Sequence, residues 1–261
     1  MNNLRNSRRQ AIVLIASSGL VLVLIAAAVG WQSLHASRLD PLTHCPLDRA
    51  PVGETAILLD PTDPLTRAQQ GRLLAWLRAF GLTELLRDER VEVWTLGEGE
   101  DGALARRFCG CARGREQDPV FHNPAMVAAA TESLFSRPLQ ETVLAATSAS
   151  SSRRSPILEA VAELVEESGL AERSLPRRLV LVSDLEQHSD LGSFYRRVPR
   201  FEGFRTTAAY SSVRADLRNA AVEILCIPRP HAALAHERAL REFWRSYFNS
   251  CGARDIRFER L

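Results

Sequence analysis

Oxygen-bearing side chains occupy three predicted strand-to-helix junctions of this 261-residue chain, and they are the residues best suited to chemistry. In chain order the junctions are Asp60-Pro61-Thr62-Asp63, Ser155 before Pro156, and Ser183-Asp184. The carboxyl ends of parallel strands meet at one edge of a sheet, so we expect the three junctions to lie together. A hard divalent cation such as Mg²⁺ takes oxygen ligands and keeps several waters, so two carboxylates and two hydroxyls suffice from the protein.

The first junction is typical of the front end of an α/β unit. The apolar run Thr55 to Leu59 is long enough for a buried strand, and a polar turn follows it. A helix is predicted from Pro64 to Phe80, with Asp63 as its N-cap and Gly81 ending it. Asp63 therefore has two interpretations, as a helix cap or as a second acid beside Asp60.

Strands and helices are predicted to alternate along the rest of the chain. Further strands are predicted at Val91–Leu96, Leu179–Val182, Val222–Ile227 and Ile256–Leu261. Helices are predicted at Pro124–Ala146 with a break at Pro138, at Ser155–Ser168 and at Ala233–Ser250, and a long loop is predicted at Gly97–Asn123. We expect the aromatic cluster of the last helix to lie in the core. The alternation predicts an α/β fold with a doubly wound, mainly parallel sheet that helices cover on both faces.

Residues 11–31 are predicted to form one N-terminal transmembrane helix. The run from Ala11 to Gly30 contains no charged residue and is long enough to span a bilayer. Three arginines precede it, so the positive-inside rule places residues 1–10 in the cytoplasm. A stem would follow at 32–53 and a domain at 54–261, which predicts a bacterial-type inner-membrane protein with its domain in the periplasm. A cleaved signal peptide is the alternative to an uncleaved anchor.

The charge composition excludes several classes of function. The formal net charge is only +2, so nothing indicates a nucleic-acid partner. All 33 basic residues are arginine, which excludes a Walker A lysine, a Schiff-base lysine and a Ser-Lys dyad. The sequence leaves the oligomeric state open.

Five cysteines are present, and the sequence does not fix their pairing. They are Cys45, Cys109, Cys111, Cys226 and Cys251. No CxxC pair occurs, which argues against structural zinc, whereas one or two disulfides are plausible outside the cytoplasm. One residue separates Cys109 from Cys111, so these two are poorly placed to bridge each other, and we expect Cys45 to pair with one of them. Cys226 lies in an apolar strand and is expected to be buried.

The three junctions resemble the motifs of a von Willebrand factor A-type domain, in the same order. The metal-ion-dependent adhesion site of that family uses a DxSxS turn, a Thr from a later loop and an Asp after a central strand. ILLDPTDPLT is similar to the first motif, SPILEAV to the second and LVLVSDLEQHS to the third. The resemblance covers roughly Glu54 to Leu261, and it implies Mg²⁺ ligands at Asp60, Thr62, Ser155 and Asp184.

One position departs from the family pattern. The second hydroxyl of the DxSxS turn falls on Pro64, which has no group that can bind a metal. The site is therefore a degenerate version of the family site. The inference about the fold survives this change, but occupancy by a metal does not follow from it.

The resemblance implies a membrane-anchored module that binds a protein partner through Mg²⁺ and has no catalytic residues. A metal-free structural component of an envelope complex is the first alternative, and Pro64 favours it. The second is a Mg²⁺-dependent phosphoesterase, because LLDPTDPLT superficially resembles the DxDxT motif of haloacid-dehalogenase phosphatases. In that motif the second acid falls at position 62, which is Thr here, and the lysine that the phosphatase family uses is absent.

Overall fold

The computed structural model of the protein describes residues 15, 17–31, 38–60, 64–96, 104–112, 124–148, 154–171, 174–229 and 233–261. These fall into two units, Met1–Leu39 and Asp40–Leu261. In the first unit, residues 17–31 form helix α1, and its apolar side chains are exposed. Among the residues described, no helix is both long enough and apolar enough to cross a membrane. The predicted anchor at 11–31 includes residues 11–14 and 16, which lie outside the described residues, as do 1–10 and 32–37.

The second unit contains a sheet and the helices that cover it. Its strands are β1 Glu54–Leu59, β2 Arg90–Leu96, β3 Leu104–Cys111, β4 Arg177–Ser183, β5 His188–Ser189, β6 Gly192–Ser193, β7 Ala221–Cys226 and β8 Asp255–Arg260. Its α-helices are α2 Arg67–Thr83, α3 Pro124–Thr131, α4 Arg137–Ser148, α5 Ile157–Glu167, α6 Phe201–Phe204, α7 Ala208–Ser212 and α8 Leu234–Ser250. A π-helical turn, Glu132–Ser136, joins α3 to α4, and a 3₁₀ turn, Gly169–Ala171, follows α5.

The six long strands form one sheet in the order β3-β2-β1-β4-β7-β8. Every neighbouring pair is parallel except β2 and β3, which are antiparallel. The short strands β5 and β6 form a separate hairpin. This mostly parallel sheet with flanking helices fits a von Willebrand factor A-like or Rossmann-like α/β fold, as the sequence predicted.

Strand β1 is buried on both faces of the sheet. Ala56 and Leu58 lie in one core cluster together with side chains of α5 and α8, whereas Ile57 and Leu59 lie in another with side chains of α2 and α4. Alternate residues of a strand point to opposite faces, so helices must cover both sides of the sheet. The aromatic cluster of α8 is buried as predicted and comprises Phe243, Trp244, Tyr247 and Phe248.

The bounds of several elements differ from the prediction by a few residues, and helix α2 and strand β3 differ most. Helix α2 begins at Arg67, because Thr66 and Gln69 form a capping box, and it continues through Gly81 to Thr83. The predicted cap Asp63 lies outside the described residues. Part of the expected loop at Gly97–Asn123 forms β3, an edge strand whose two exposed arginines obscure any alternating pattern.

A disulfide joins Cys45 to Cys111, which resolves the pairing that the sequence left open. In the sheet register Cys111 lies opposite Arg90, the first residue of β2, so the disulfide is at the amino edge of the parallel strands. The backbone N–H of Cys111 also donates to the carbonyl of Thr43 over 3.0 Å. Residues 40–53, predicted as stem, therefore belong to the second unit and are fixed at the edge opposite to the strand ends that carry Asp60 and Asp184.

We predict that replacing Cys45 and Cys111 together by alanine lowers the free energy of unfolding by about 2–4 kcal/mol, because the disulfide restricts the unfolded chain. Urea denaturation of the purified protein measures the loss. Cys109→Ala is the matched control, because its thiol is free, and it should leave the disulfide intact. The denatured but unreduced wild type should titrate with three thiols. A titre of five, or equal stability of the double variant and the wild type, would contradict this.

A buried carboxylate at the same amino edge couples stability to pH. Glu54 is 2% exposed, and both of its oxygens contact the Arg90 guanidinium, at 2.6 and 3.0 Å. Burial, opposed by the charge of Arg90, raises the pKa of Glu54 from 4.5 to about 7. Because this pKa is higher in the folded state than in the unfolded chain, the protonated form of Glu54 favours the folded state. Its contribution to the free energy of unfolding is complete at low pH and is lost as pH rises through about 7.

We predict that the difference between the free energies of unfolding of wild type and Glu54→Gln changes with pH. The value of wild type should fall relative to that of the variant by up to about 3 kcal/mol between pH values of about 4 and 8. Denaturation curves over this range measure the difference. Glu166→Gln, on the exposed face of α5, serves as the control and should run parallel to wild type. Parallel profiles for wild type and Glu54→Gln would contradict the assignment.

Candidate functional site

The carboxylate of Asp60 is the centre of a polar cluster at the carboxyl edge of the sheet. Asp60 follows β1 directly, is 5% exposed, and donates its backbone N–H to the carbonyl of Val182 over 3.0 Å. Its Oδ2 accepts hydrogen bonds from the hydroxyls of Ser155 and Ser183, each over 2.9 Å. Buried carboxylates are costly without such donors. Three segments that are distant in the sequence thus meet at one carboxylate oxygen.

The position of Ser155 follows from a backbone pairing with the β5 segment. Ser155 and His188 exchange two backbone hydrogen bonds, of 2.9 and 2.8 Å. The first turn of α5 is capped by the side chain of Gln187, whose Oε1 accepts from the N–H of Leu158 over 2.9 Å. Gln187 thus supplies the cap, whereas the hydroxyl of Ser155 is directed to Asp60.

A turn with unusual backbone geometry holds Asp184 at the end of β4. The next residue, Leu185, is buried and has a φ of +70°, a conformation that is unfavourable for a bulky side chain. The hydroxyl of Ser183 accepts a hydrogen bond from the N–H of Leu185 over 2.8 Å. The indole of Trp244 donates to the carbonyl of Leu185 over 3.0 Å. Asp184 Oδ1 accepts from the N–H of Glu186 over 2.9 Å. These contacts fix the direction of the Asp184 carboxylate.

Arg229 contacts the other oxygen of Asp184. Its Nε and Nη2 both lie against Asp184 Oδ2, and the two side chains are 29% and 4% exposed, respectively. The contact arises because β7 runs parallel to β4 with Cys226 opposite Ser183, so the residues that follow β7 reach the same edge. The sequence prediction did not include Arg229 in this site.

The electrostatics of the cluster reflect its burial. Burial, followed by the charge of Asp60, raises the pKa of Asp184 to about 7. Direct contact with a guanidinium favours the ionised carboxylate and so opposes that rise. Burial also lowers the pKa of Arg229, and the negative charge of Asp60 opposes this shift. One guanidinium therefore interacts with both carboxylates.

Two rings and a further acid flank this cluster. The rings of His188 and Tyr195 lie 5.1 Å apart, and Tyr195 is 47% exposed. Burial and then the charges of Asp184 and Asp60 raise the pKa of Tyr195. Glu186 pairs with His236 over 2.8 Å. Because His188 pairs with Ser155, which contacts Asp60, the exposed ring of Tyr195 lies at the rim of the buried charged cluster.

The residues present do not fit a divalent cation. Such an ion needs oxygen lone pairs directed at it, but Asp184 Oδ2 faces a guanidinium, and both serine hydroxyls direct their protons at Asp60. Over the described part of the chain, no group of three or more His, Cys, Asp or Glu is arranged to hold a metal ion.

The structure brings some of the four predicted ligands together, but it does not describe all of them. Asp60 and Ser155 are in direct contact, and Asp184 lies at the same sheet edge. Thr62 lies outside the described residues, so its predicted role stays a prediction. Sequence reasoning did not include Ser183 among the ligands, although it adjoins Asp184. Gln187 carried no signal of its own, because its role depends on where β5 lies.

The strand order and the mostly parallel pairing define an α/β domain that fits a von Willebrand factor A-like or Rossmann-like fold. No protein-family model matches the chain, and no curated protein matches it. One similar solved structure is BatB from Bacteroides thetaiotaomicron, at 12% identity, covering 80% of this chain and 90% of that chain, with a TM-score of 0.40. A second is a von Willebrand factor type A structure from Catenulispora acidiphila, at 12% identity, covering 78% of this chain and 43% of that chain, with a TM-score of 0.39. A third is the manganese-loaded TRAP protein of Plasmodium vivax, at 10% identity, covering 80% of this chain and 68% of that chain, with a TM-score of 0.39. These likenesses are weak, and the fold class follows from the strand order.

We predict that Ser155→Ala lowers the free energy of unfolding by about 1–3 kcal/mol, because the buried carboxylate of Asp60 loses one of its donors. Chemical denaturation measures the change. Ser212→Ala is the control, because that hydroxyl is on an exposed helix and bonds only to a backbone carbonyl nearby, Ala209 O, over 2.9 Å. In an Asp60→Ala background the cost of Ser155→Ala should vanish. An equal cost in both backgrounds would contradict the pairing.

Proposed function

We propose that the protein is a membrane-anchored interaction module that binds a protein partner outside the cytoplasm, at the carboxyl edge of its sheet. The partner surface comprises the Asp60–Asp184–Arg229 cluster and its rim residue Tyr195. Open α/β sheets place their binding sites at this edge. The module carries out no chemistry of its own in this proposal.

The observation that supports the proposal is that this cluster is unfavourable for the stability of the fold. Two buried carboxylates, a partly buried guanidinium and the left-handed Leu185 all oppose stability. Buried charges are often replaceable by apolar residues without loss of stability, and strained backbone concentrates at functional sites. An arrangement that costs stability and lies beside an exposed aromatic ring is better explained by recognition than by folding.

The proposed location rests on the sequence and on the disulfide. The uncharged run from Ala11 to Gly30 follows three arginines, which supports an anchor in a bacterial-type inner membrane with the N-terminus inside. The Cys45–Cys111 disulfide is typical of an oxidising compartment such as the periplasm. The disulfide fixes residues 40–53 at the amino edge, so this segment does not cover the carboxyl edge.

The metal-independent form of the interaction is the better supported one. Arg229 supplies positive charge to Asp184 directly, so partner binding does not require Mg²⁺ in this proposal. This separates the module from a Mg²⁺-dependent phosphoesterase, whose nucleophile at Asp60 would have to release the two serine donors that it holds.

We predict that a photo-cross-linking amino acid at position 195 captures a protein partner in cells that make the protein, and that chelator leaves the capture unchanged. The same amino acid at position 86 is the control. Leu86 is similarly exposed, at 54% against 47%, but it precedes β2 at the opposite edge of the sheet. Adding Asp184→Asn should reduce capture at position 195 by about fivefold, which corresponds to about 1 kcal/mol.

Immunoblotting and mass spectrometry of the cross-linked species measure these outcomes. The proposal fails if both positions capture the same species equally, or if neither captures any. Loss of capture at position 195 on addition of chelator would contradict the metal-independent form specifically.

A further inference from the structure

Two acidic side chains share a small buried region at the carboxyl edge, and their charges must be compensated. Asp60 follows β1 and Asp184 follows β4, and these strands are adjacent and parallel. Each is about 5% exposed or less. Two like charges in such surroundings raise each other's pKa unless donors or a cation stabilise the ionised forms.

The two carboxylates are compensated by different groups. Asp60 Oδ2 accepts two serine hydroxyls, which are neutral donors. Asp184 Oδ2 contacts two nitrogens of Arg229, which carries a full charge. The same guanidinium also interacts with the charge of Asp60. Arg229 therefore contacts Asp184 and also acts electrostatically on Asp60.

Other arginines near this edge are engaged elsewhere. Arg229 lines a pocket between β4, β7 and α8 together with Arg241 and Arg260. The guanidinium of Arg241 lies over the ring of Phe258, 5.6 Å from its centroid, and Arg260 lies 3.9 Å from Glu237. Contact with Asp184 thus distinguishes Arg229 from its neighbours in the pocket, and Arg241 offers a matched control.

We propose that Arg229 is a resident cation that takes the place of a divalent metal in this site. The four oxygen-bearing side chains Asp60, Ser155, Ser183 and Asp184 then form a latent metal site that the guanidinium closes. Two carboxylates and two hydroxyls, completed by waters, suffice for a hard divalent cation. Removing the guanidinium while keeping the oxygens exposes Asp184 Oδ2, and the two serine hydroxyls can rotate their protons away from Asp60, so that the site then binds such an ion.

This inference does not depend on the identity or existence of a partner. A failed cross-linking experiment would overturn the interaction proposal and leave the role of Arg229 intact. Metal binding by the wild type would overturn the role of Arg229 and leave the interaction open.

The test is Mn²⁺ binding by the full-length protein in detergent, measured by the loss of the free-ion electron paramagnetic resonance signal. Wild type, Arg241→Ser and Arg229→Lys should bind no stoichiometric Mn²⁺ at about 1 mM, because each keeps a cation beside Asp184. Arg229→Ser should bind one Mn²⁺ per chain, and Mg²⁺ should displace it. At about a hundredfold excess over its Kd, Mn²⁺ should raise the Tm of Arg229→Ser by about 5–10 °C.

Two results would overturn the proposal. The first is stoichiometric Mn²⁺ binding by the wild type, a measurement that does not depend on any variant folding. The second is an Arg229→Ser protein that neither binds Mn²⁺ nor gains stability from it. This result counts against the proposal whether the variant is folded or unfolded before Mn²⁺ is added. Adding Asp60→Ala and Asp184→Ala to Arg229→Ser should abolish the acquired binding, and binding that persists would place the ion elsewhere.

Discussion

The placement of two carboxylates at one buried edge is the constraint on which the rest of this site depends. The parallel register sets Leu59 opposite Val182, so Asp60 lies beside Ser183, and Asp184 is the next residue along the chain. Isolated buried charges are far more costly than paired ones. The serine donors, the Arg229 guanidinium and the left-handed turn at Leu185 all serve to satisfy these two groups. The Trp244 indole extends this support into the core, because it bonds to the carbonyl of Leu185.

A covalently attached cation has consequences that an exchangeable metal does not. A guanidinium stays charged throughout the physiological pH range and presents its donors in a fixed planar arrangement. The site is therefore complete without any ion from solution, and its charge does not vary with the divalent concentration around it. In the proposed interaction, binding at this edge depends on the exposed rim residue Tyr195 and on how firmly the chain holds Asp184.

Much of the fold could be predicted from the sequence, because buried parallel strands are continuous apolar runs. Strands β1 and β4 were recognisable for this reason, and so was the aromatic face of α8. Strand β3 was missed, because an edge strand with exposed arginines needs no apolar alternation. Among the site residues, Asp60, Ser155 and Asp184 carried a signal through their junctions. Arg229 carried none, since its contact follows from the register of β7 against β4, which no local pattern encodes.

The most direct measurement of the central claim is a crystal structure of the wild-type protein grown in Mn²⁺, with anomalous diffraction data. We expect no anomalous peak at the carboxyl edge near Asp60 and Asp184, and we expect the guanidinium of Arg229 within hydrogen-bonding distance of Asp184 Oδ2. An anomalous peak between the two carboxylates, with Arg229 turned away from Asp184, would contradict the claim that this arginine replaces the metal.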